Sequence, residues 1–139
     1  MNLKVNKNRL WQSLSEMAEI GPGDNGGSCR LALTDDDIEG RNLLKSWAAK
    51  LNCSHRLDSM GNLFIRREGN IGKSPVLMGS HLDTQPCGGR FDGVLGVLSA
   101  LEVLRVVEEN NIKTEHPLEV VVWTNEEGAR FAPAMMGSG

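Results

Sequence analysis

Long apolar runs are missing from this sequence. No stretch approaches the ~20 residues that a membrane-spanning helix needs. The opening segment Met1-Asn2-Leu3-Lys4-Val5-Asn6-Lys7-Asn8-Arg9 leads straight into a polar amphipathic stretch, without the apolar centre of a secretion signal. Cysteine is scarce. Cys29, Cys53 and Cys87 are an odd number, widely spaced and without a CxxC pair. That argues against a disulfide framework and for reduced thiols in the cytoplasm. Basic clusters are absent too. With 15 basic against 18 acidic residues and a net charge of −3, a nucleic-acid role has no electrostatic support. Internal repeats and low-complexity segments are also lacking. What remains is ordinary globular composition, 40% hydrophobic and 24% charged over 139 residues, a plausible length for one compact domain.

The periodicity of the chain gives a coarse layout. Leu10, Trp11, Leu14, Met17 and Ala18 recur at helical spacing, and Gly21-Pro22-Gly23 ends that helix. A Gly-rich loop follows to Leu33. Thr34 is placed to cap a second helix whose first turn holds Asp35, Asp36 and Asp37. Its stripe is Leu44, Trp47, Ala48 and Leu51, and Gly40 within it costs about 1 kcal/mol relative to alanine. Two short strands, Arg56-Leu57-Asp58 and Leu63-Phe64-Ile65, flank a hairpin turn. The short apolar run Val76-Leu77-Met78 reads as a strand buried on both faces. A helix from about Gly93 to Glu109 follows, with Val94, Val97, Leu98, Leu101 and Leu104 inward, and then a second buried strand from Leu118 to Trp123. Strand, helix and strand in this order form a βαβ unit with a parallel pair. Trp11, Trp47 and Trp123 are expected in the core.

Ligands in open α/β sheets bind beyond the carboxyl ends of the strands. Both strands of the βαβ unit end in metal-ligand residue types. The first runs into Gly79-Ser80-His81-Leu82-Asp83-Thr84 and the second into Asn125-Glu126-Glu127-Gly128, while Asp92 opens the connecting helix in Gly88-Gly89-Arg90-Phe91-Asp92-Gly93. His81 offers a neutral imidazole nitrogen. The Asp83 carboxylate, two residues on, is placed to accept the other ring N–H. Asp92 sits where a helix dipole favours negative charge, and its two oxygens suit a bridge between cations ~3.5–4 Å apart. Glu126 and Glu127 are adjacent and so point different ways: one can ligate a metal while the other faces a substrate as a base. Each feature has a plainer reading, as a surface pair, a helix cap or a solvated loop. Their coincidence at one sheet edge favours chemistry. Cys87 shares the loop but has no spaced partner, and His55 and His116 read as surface residues at strand borders.

These three motifs, with Gln85-Pro86 after the first and Ala129-Arg130-Phe131 after the last, resemble the M20-type metallohydrolases. The branch they resemble most is the N-carbamoyl-L-amino-acid hydrolase, β-ureidopropionase and allantoate amidohydrolase group. Gly26-Gly27 with Arg30, Leu33-Thr34, Asp58 with Gly61-Asn62-Leu63, and Met136-Gly137-Ser138 fit the same pattern. The resemblance implies an α/β fold, the N-terminal part of a di-metal exopeptidase-like catalytic domain with a mostly parallel sheet flanked by helices. It implies that His81 ligates one metal, Asp92 bridges both and Glu127 ligates the second. Glu126 is then the general base and Asp83 supports His81. The cofactors implied are two divalent ions, zinc by default, with manganese, cobalt or nickel as other options.

The resemblance also implies an activity: hydrolysis of a linear, non-peptide C–N bond, most of all in an N-carbamoyl amino acid. Members of this family are roughly three times longer, a two-domain size. Residues 1–139 therefore read as an incomplete N-terminal part of the catalytic domain. The remaining ligand histidines, the substrate grip and the dimerisation domain of a homodimeric protein match no position here. A di-metal aminopeptidase or dipeptidase of similar fold is the rival enzyme, and a non-catalytic remnant is the rival of another class.

Overall fold

Helix α1 (Lys7–Ala18) begins where the Asn6 side chain accepts the Arg9 backbone N–H at 3.1 Å. The computed structural model describes residues 3–72 and 74–139. Leu14, Met17 and Ala18 of α1 are buried as their spacing requires. Trp11 is not: it is 62% exposed and lies tilted against Phe91, ring centroids 6.0 Å apart. It flanks the buried stripe and covers the loop before Asp92 instead of entering the core.

Helix α2 (Asp35–Ala49) starts at Thr34, whose hydroxyl accepts the Asp37 N–H. Asp37 is itself buried, accepts the Leu33 N–H at 2.9 Å and pairs with Arg41 at 3.0 Å. Arg41 then donates to the Gly61 carbonyl at 2.9 Å and to Thr124 Oγ1 at 3.3 Å. One capping network thus fixes α2 to the hairpin and to the exit of the last strand. Gly40 has a packing reason. A Cβ there would lie 3.2 Å from Arg30 Cδ and 3.3 Å from Met17 Sδ. The intrinsic cost of glycine in a helix accompanies room for a buried arginine.

The strands are β1 (Ser54–Leu57), β2 (Leu63–Arg67), β3 (Val76–His81) and β4 (Leu118–Trp123), with helix α3 (Val94–Glu109) between the last two. The sheet order is β1-β2-β4-β3. The β3–β4 pair is parallel, and β1–β2 and β2–β4 are antiparallel. The sheet is therefore mixed, not mostly parallel: the hairpin joins the free side of β4 in the opposite sense. Alternate residues Leu63 and Ile65 of β2 and Leu118, Val120 and Val122 of β4 pack with side chains from all three helices in one core. The opposite face carries an edge-on Phe64–Trp123 contact, Arg56 stacked 3.8 Å over Phe64, and Glu119 paired with Arg66 at 3.0 Å. Trp123 is half-buried on that face, outside the core; Trp47 is inside it.

The expectation for β3 needs correcting. It is an edge strand with Val76 51% and Leu77 44% exposed, not a strand buried on both faces. An apolar run looks the same whether a strand has one neighbour or two. Here β4 is the only partner strand among the described residues.

Helix α3 buries a carboxylate. Glu102 is fully buried and accepts from the Asn6 N–H at 3.0 Å and from Arg9 at 2.7 and 2.9 Å, with Arg105 at 3.5 Å. Burial alone would push its pKa up; the Arg9 hydrogen bonds, the Asn6 N–H and the two cations outweigh it and hold the carboxyl below its ordinary value. A depressed folded pKa contributes stability above the unfolded value, and that contribution disappears as pH falls through the folded one. Arg9→Ala leaves a buried charge without its main partner and is expected to cost about 3–5 kcal/mol. Urea unfolding at neutral pH measures it, and a variant within ~1 kcal/mol of the parent would show the pair to be a surface contact in effect.

Candidate metal centre

Parallel pairing sets His81 opposite Trp123, so β3 and β4 leave the sheet side by side. His81 is the last residue of β3. Asp92 precedes Gly93 at the start of α3, and Glu126 and Glu127 follow the end of β4. One ligand atom from each of His81, Asp92 and Glu127 lies within 4.8 Å of the others, so the three could hold a metal ion. His81 Nε2 is 3.3 Å from Glu126 Oε2 and 3.8 Å from Asp92 Oδ1. The chain thus brings together all four residues expected to act at the strand ends. The imidazole is buried, whereas the Asp92 side chain is 74% exposed.

The proton on His81 can be placed. Nδ1 lies 2.8 Å from the Asp83 backbone carbonyl. A carbonyl only accepts, so Nδ1 carries the hydrogen and donates. In a neutral His81 the Nε2 lone pair then faces the carboxylates of Asp92 and Glu126. An imidazole lone pair among carboxylates, with only acceptors converging, is a donor set that fits a cation.

Asp83 supports this site differently from the sequence expectation. Its carboxylate is 3.9 Å from His81 Nδ1 and accepts two backbone N–H groups instead, from Glu126 at 3.3 Å and from Glu127 at 3.2 Å. The ring is held by the Asp83 main chain, and the two glutamates are held by its buried side chain. The reason is geometric. The chain turns after His81, which brings the Asp83 carbonyl to the ring and aims its side chain across to the neighbouring strand exit.

Residues 77–139 match the model of peptidase family M20/M25/M40. An N-carbamoyl-L-amino-acid amidohydrolase of Rhizobium meliloti is 58% identical over 139 residues, which is 99% of this chain and 33% of that protein. The chain is thus similar to the M20/M25/M40 peptidase family. An N-carbamoyl-L-amino acid amidohydrolase of Geobacillus stearothermophilus is 44% identical over 94% of this chain and 32% of its own length. The crystal structure of a hydantoinase/carbamoylase family amidase from Burkholderia ambifaria superposes with a TM-score of 0.96 at 57% identity, over 98% of this chain and 34% of that one. The chain spans about a third of the length of the relatives it matches.

Other residues of this chain shape the site without being expected there. Gly93 has φ 69° and ψ −53°, and a Cβ on it would lie 2.5 Å from His81 Nδ1 and 2.6 Å from Nε2. Only glycine lets the start of α3 press against the imidazole. Asn125, buried with φ 52°, turns the chain out of β4 and donates its side-chain amide to the carbonyls of Phe131 at 2.7 Å and Pro133 at 3.2 Å. Arg30 is fully buried and donates to the carbonyls of Leu82, Met17 and Ile20 at 2.9, 3.1 and 2.8 Å. Burial pulls its pKa below the usual guanidinium range, against the attraction of Asp37, Asp36 and Asp83. A lone arginine in a Gly-rich loop was the visible signal, since its carbonyl partners leave no mark in the sequence. His55 and His116 lie outside the metal group, and His116 Nδ1 instead meets the Ser74 carbonyl at 2.9 Å. Cys87 is exposed and also outside it.

Proposed function

We propose that the intact protein is a metal-dependent amidohydrolase acting on a linear, non-peptide C–N bond, the carbamoyl group of N-carbamoyl-L-amino acids. The observation that carries this reading is the meeting of His81, Asp92 and Glu127 within 4.8 Å at the exits of β3 and β4. Relatives at 58% and 44% identity that bear this activity in their names support the substrate class. In this reading His81 ligates one cation, Asp92 bridges two and Glu127 ligates the second. Glu126 is the general base, and Asp83 is a positioning residue.

Zinc is the default cation, and manganese, cobalt or nickel also suit imidazole and carboxylate donors. When bound, such ions lower the pKa of water towards ~7 and draw charge from a carbonyl oxygen. Glu126 takes the proton of the attacking water and delivers it to the departing amine. The carbamoyl amino acid and one water give the amino acid, carbon dioxide and ammonia. Residues 1–139 form part of the catalytic domain in this proposal. The rest of that domain and a dimerisation domain complete a homodimer. The three free thiols suit the reducing cytoplasm, and no helix among the described residues is long and apolar enough to cross a membrane.

The test grafts residues 1–139 in place of the matching third of the Rhizobium meliloti relative. The graft is expected to release ammonia from N-carbamoyl-L-amino acids and to leave dipeptides uncut. The 139-residue chain alone is expected to release none, because affinity and orientation both need a closed ligand set. A graft that cuts only dipeptides would establish the peptidase reading instead. One inert on both substrates, though folded and metal-loaded, would favour a non-catalytic remnant. Sustained ammonia release by the chain alone would show that the missing part is dispensable.

A further inference from the structure

We infer that Gln85 is a positioning residue that selects which oxygen of Glu127 faces the metal, an inference that rests on the metal reading of His81, Asp92 and Glu127. Gln85 Nε2 donates to Glu127 Oε2 at 2.8 Å. A primary amide nitrogen has only hydrogens to offer, so the contact fixes Oε2 as an acceptor and turns Oε1 away from Gln85. A charged acceptor makes this hydrogen bond stronger than one between neutral groups.

An exposed side chain would be a poor guide if its own backbone moved. The backbone of Gln85 is held. Its carbonyl accepts from Thr84 Oγ1 at 2.9 Å and from the Gly88 N–H at 3.1 Å. Thr84 in turn donates its N–H to the Arg30 carbonyl at 2.8 Å, and Thr84 Oγ1 accepts the Arg30 N–H at 2.8 Å. Gly88 and Ser28 exchange two backbone hydrogen bonds at 2.9 and 3.0 Å. The turn 84–88 is therefore tied on two sides to the segment around the buried Arg30, and Gln85 projects from a fixed base. On the far side, the Glu127 backbone is fixed by the Asp83 carboxylate at 3.2 Å. Both ends of the Gln85–Glu127 contact are anchored, so the freedom left to the Glu127 carboxylate is rotation about its own side chain, and the amide removes it. Partners that orient a ligating group in this way typically change metal affinity by about 10–100-fold when lost.

A double-mutant cycle in the 139-residue chain tests this. Zinc is titrated into 15N-labelled parent, Gln85→Ala, Glu127→Ala and the double variant, and affinities are read from the movement of the His81 and Gly93 signals. This method suits the weak affinity expected of a partial ligand set. Gln85→Ala is expected to weaken zinc about 10-fold or more, and to add less than about twofold once Glu127 is alanine. In zinc-free protein, Glu127→Ala should also shift the Gln85 side-chain amide signal upfield. Affinity of Gln85→Ala within about twofold of the parent overturns the inference, as does an equal loss in both backgrounds, which marks a general effect on the turn. Failure of the metal reading looks different: saturating zinc would then leave the His81 signals of the parent unmoved. An unmoved Gln85 amide signal in zinc-free Glu127→Ala would overturn the Gln85–Glu127 contact by itself.

Discussion

Gly93→Ala is expected to weaken divalent-metal binding by about 10–100-fold while the chain still folds. The methyl group has nowhere to go. It would stand 2.5 Å from His81 Nδ1, 2.6 Å from Nε2 and closer still to Cε1, well inside van der Waals contact. The backbone cannot swing it aside, because φ 69° with ψ −53° is a conformation that a residue with a Cβ scarcely adopts. Either the imidazole leaves its place or the first turn of α3 shifts, and Asp92 travels with that turn. Both movements separate His81 from Asp92. The buried face of α3 (Val97, Leu98, Leu101 and Leu104) is untouched, so far-UV circular dichroism should remain close to that of the parent. Zinc titration followed by the His81 signals measures the effect. Parent-like affinity in Gly93→Ala would mean that the close approach of helix and ring is not needed for the site.

Gly93 also shows what the sequence makes legible. The candidate site residues His81, Asp92, Glu126 and Glu127 can be read in advance because a βαβ unit has one handed, parallel solution. It must bring the ends of β3 and β4 and the start of α3 to the same edge. Thr34 as a cap is legible for a similarly local reason: a hydroxyl before a run of aspartates has one obvious partner, three residues on. Features decided by distant contacts are not. The sense in which β2 joins β4 depends on pairing across more than fifty residues, and a hairpin reads the same on either side of a sheet. The exposure of Val76 and Leu77 depends on β3 having one neighbour strand. The division of labour in Asp83, with its carbonyl to the ring and its carboxylate to two N–H groups, depends on a turn that no periodicity describes. Asn125 gives a weak local hint, since asparagine tolerates positive φ; its grip on the Phe131 and Pro133 carbonyls is visible only in the folded chain.

Glu126→Gln, placed in the graft described above, is expected to lower kcat about 10²–10⁴-fold with metal content unchanged. The two neighbouring glutamates have different surroundings. Glu127 has one oxygen held by Gln85 and falls within the trio that could hold an ion. The Glu126 carboxylate is about one-third exposed and lies 3.3 Å from His81 Nε2. The Glu126 main chain is fixed, because its N–H is donated to the buried Asp83 carboxylate. A carboxylate on a fixed backbone, partly open to solvent and next to the ligand set, suits proton transfer between water and a leaving amine. Glutamine keeps the shape and loses the base, so the loss should fall on kcat and not on metal affinity or KM. Asp92→Ala provides the opposite pattern: in the proposed reading it removes a shared ligand and should empty at least one metal position. Metal analysis of both variants beside ammonia-release kinetics separates the roles. Unimpaired turnover by Glu126→Gln would remove Glu126 as the base. A loss of metal in Glu126→Gln equal to that in Asp92→Ala would make it a ligand, leaving proton transfer to another group at the edge of the sheet.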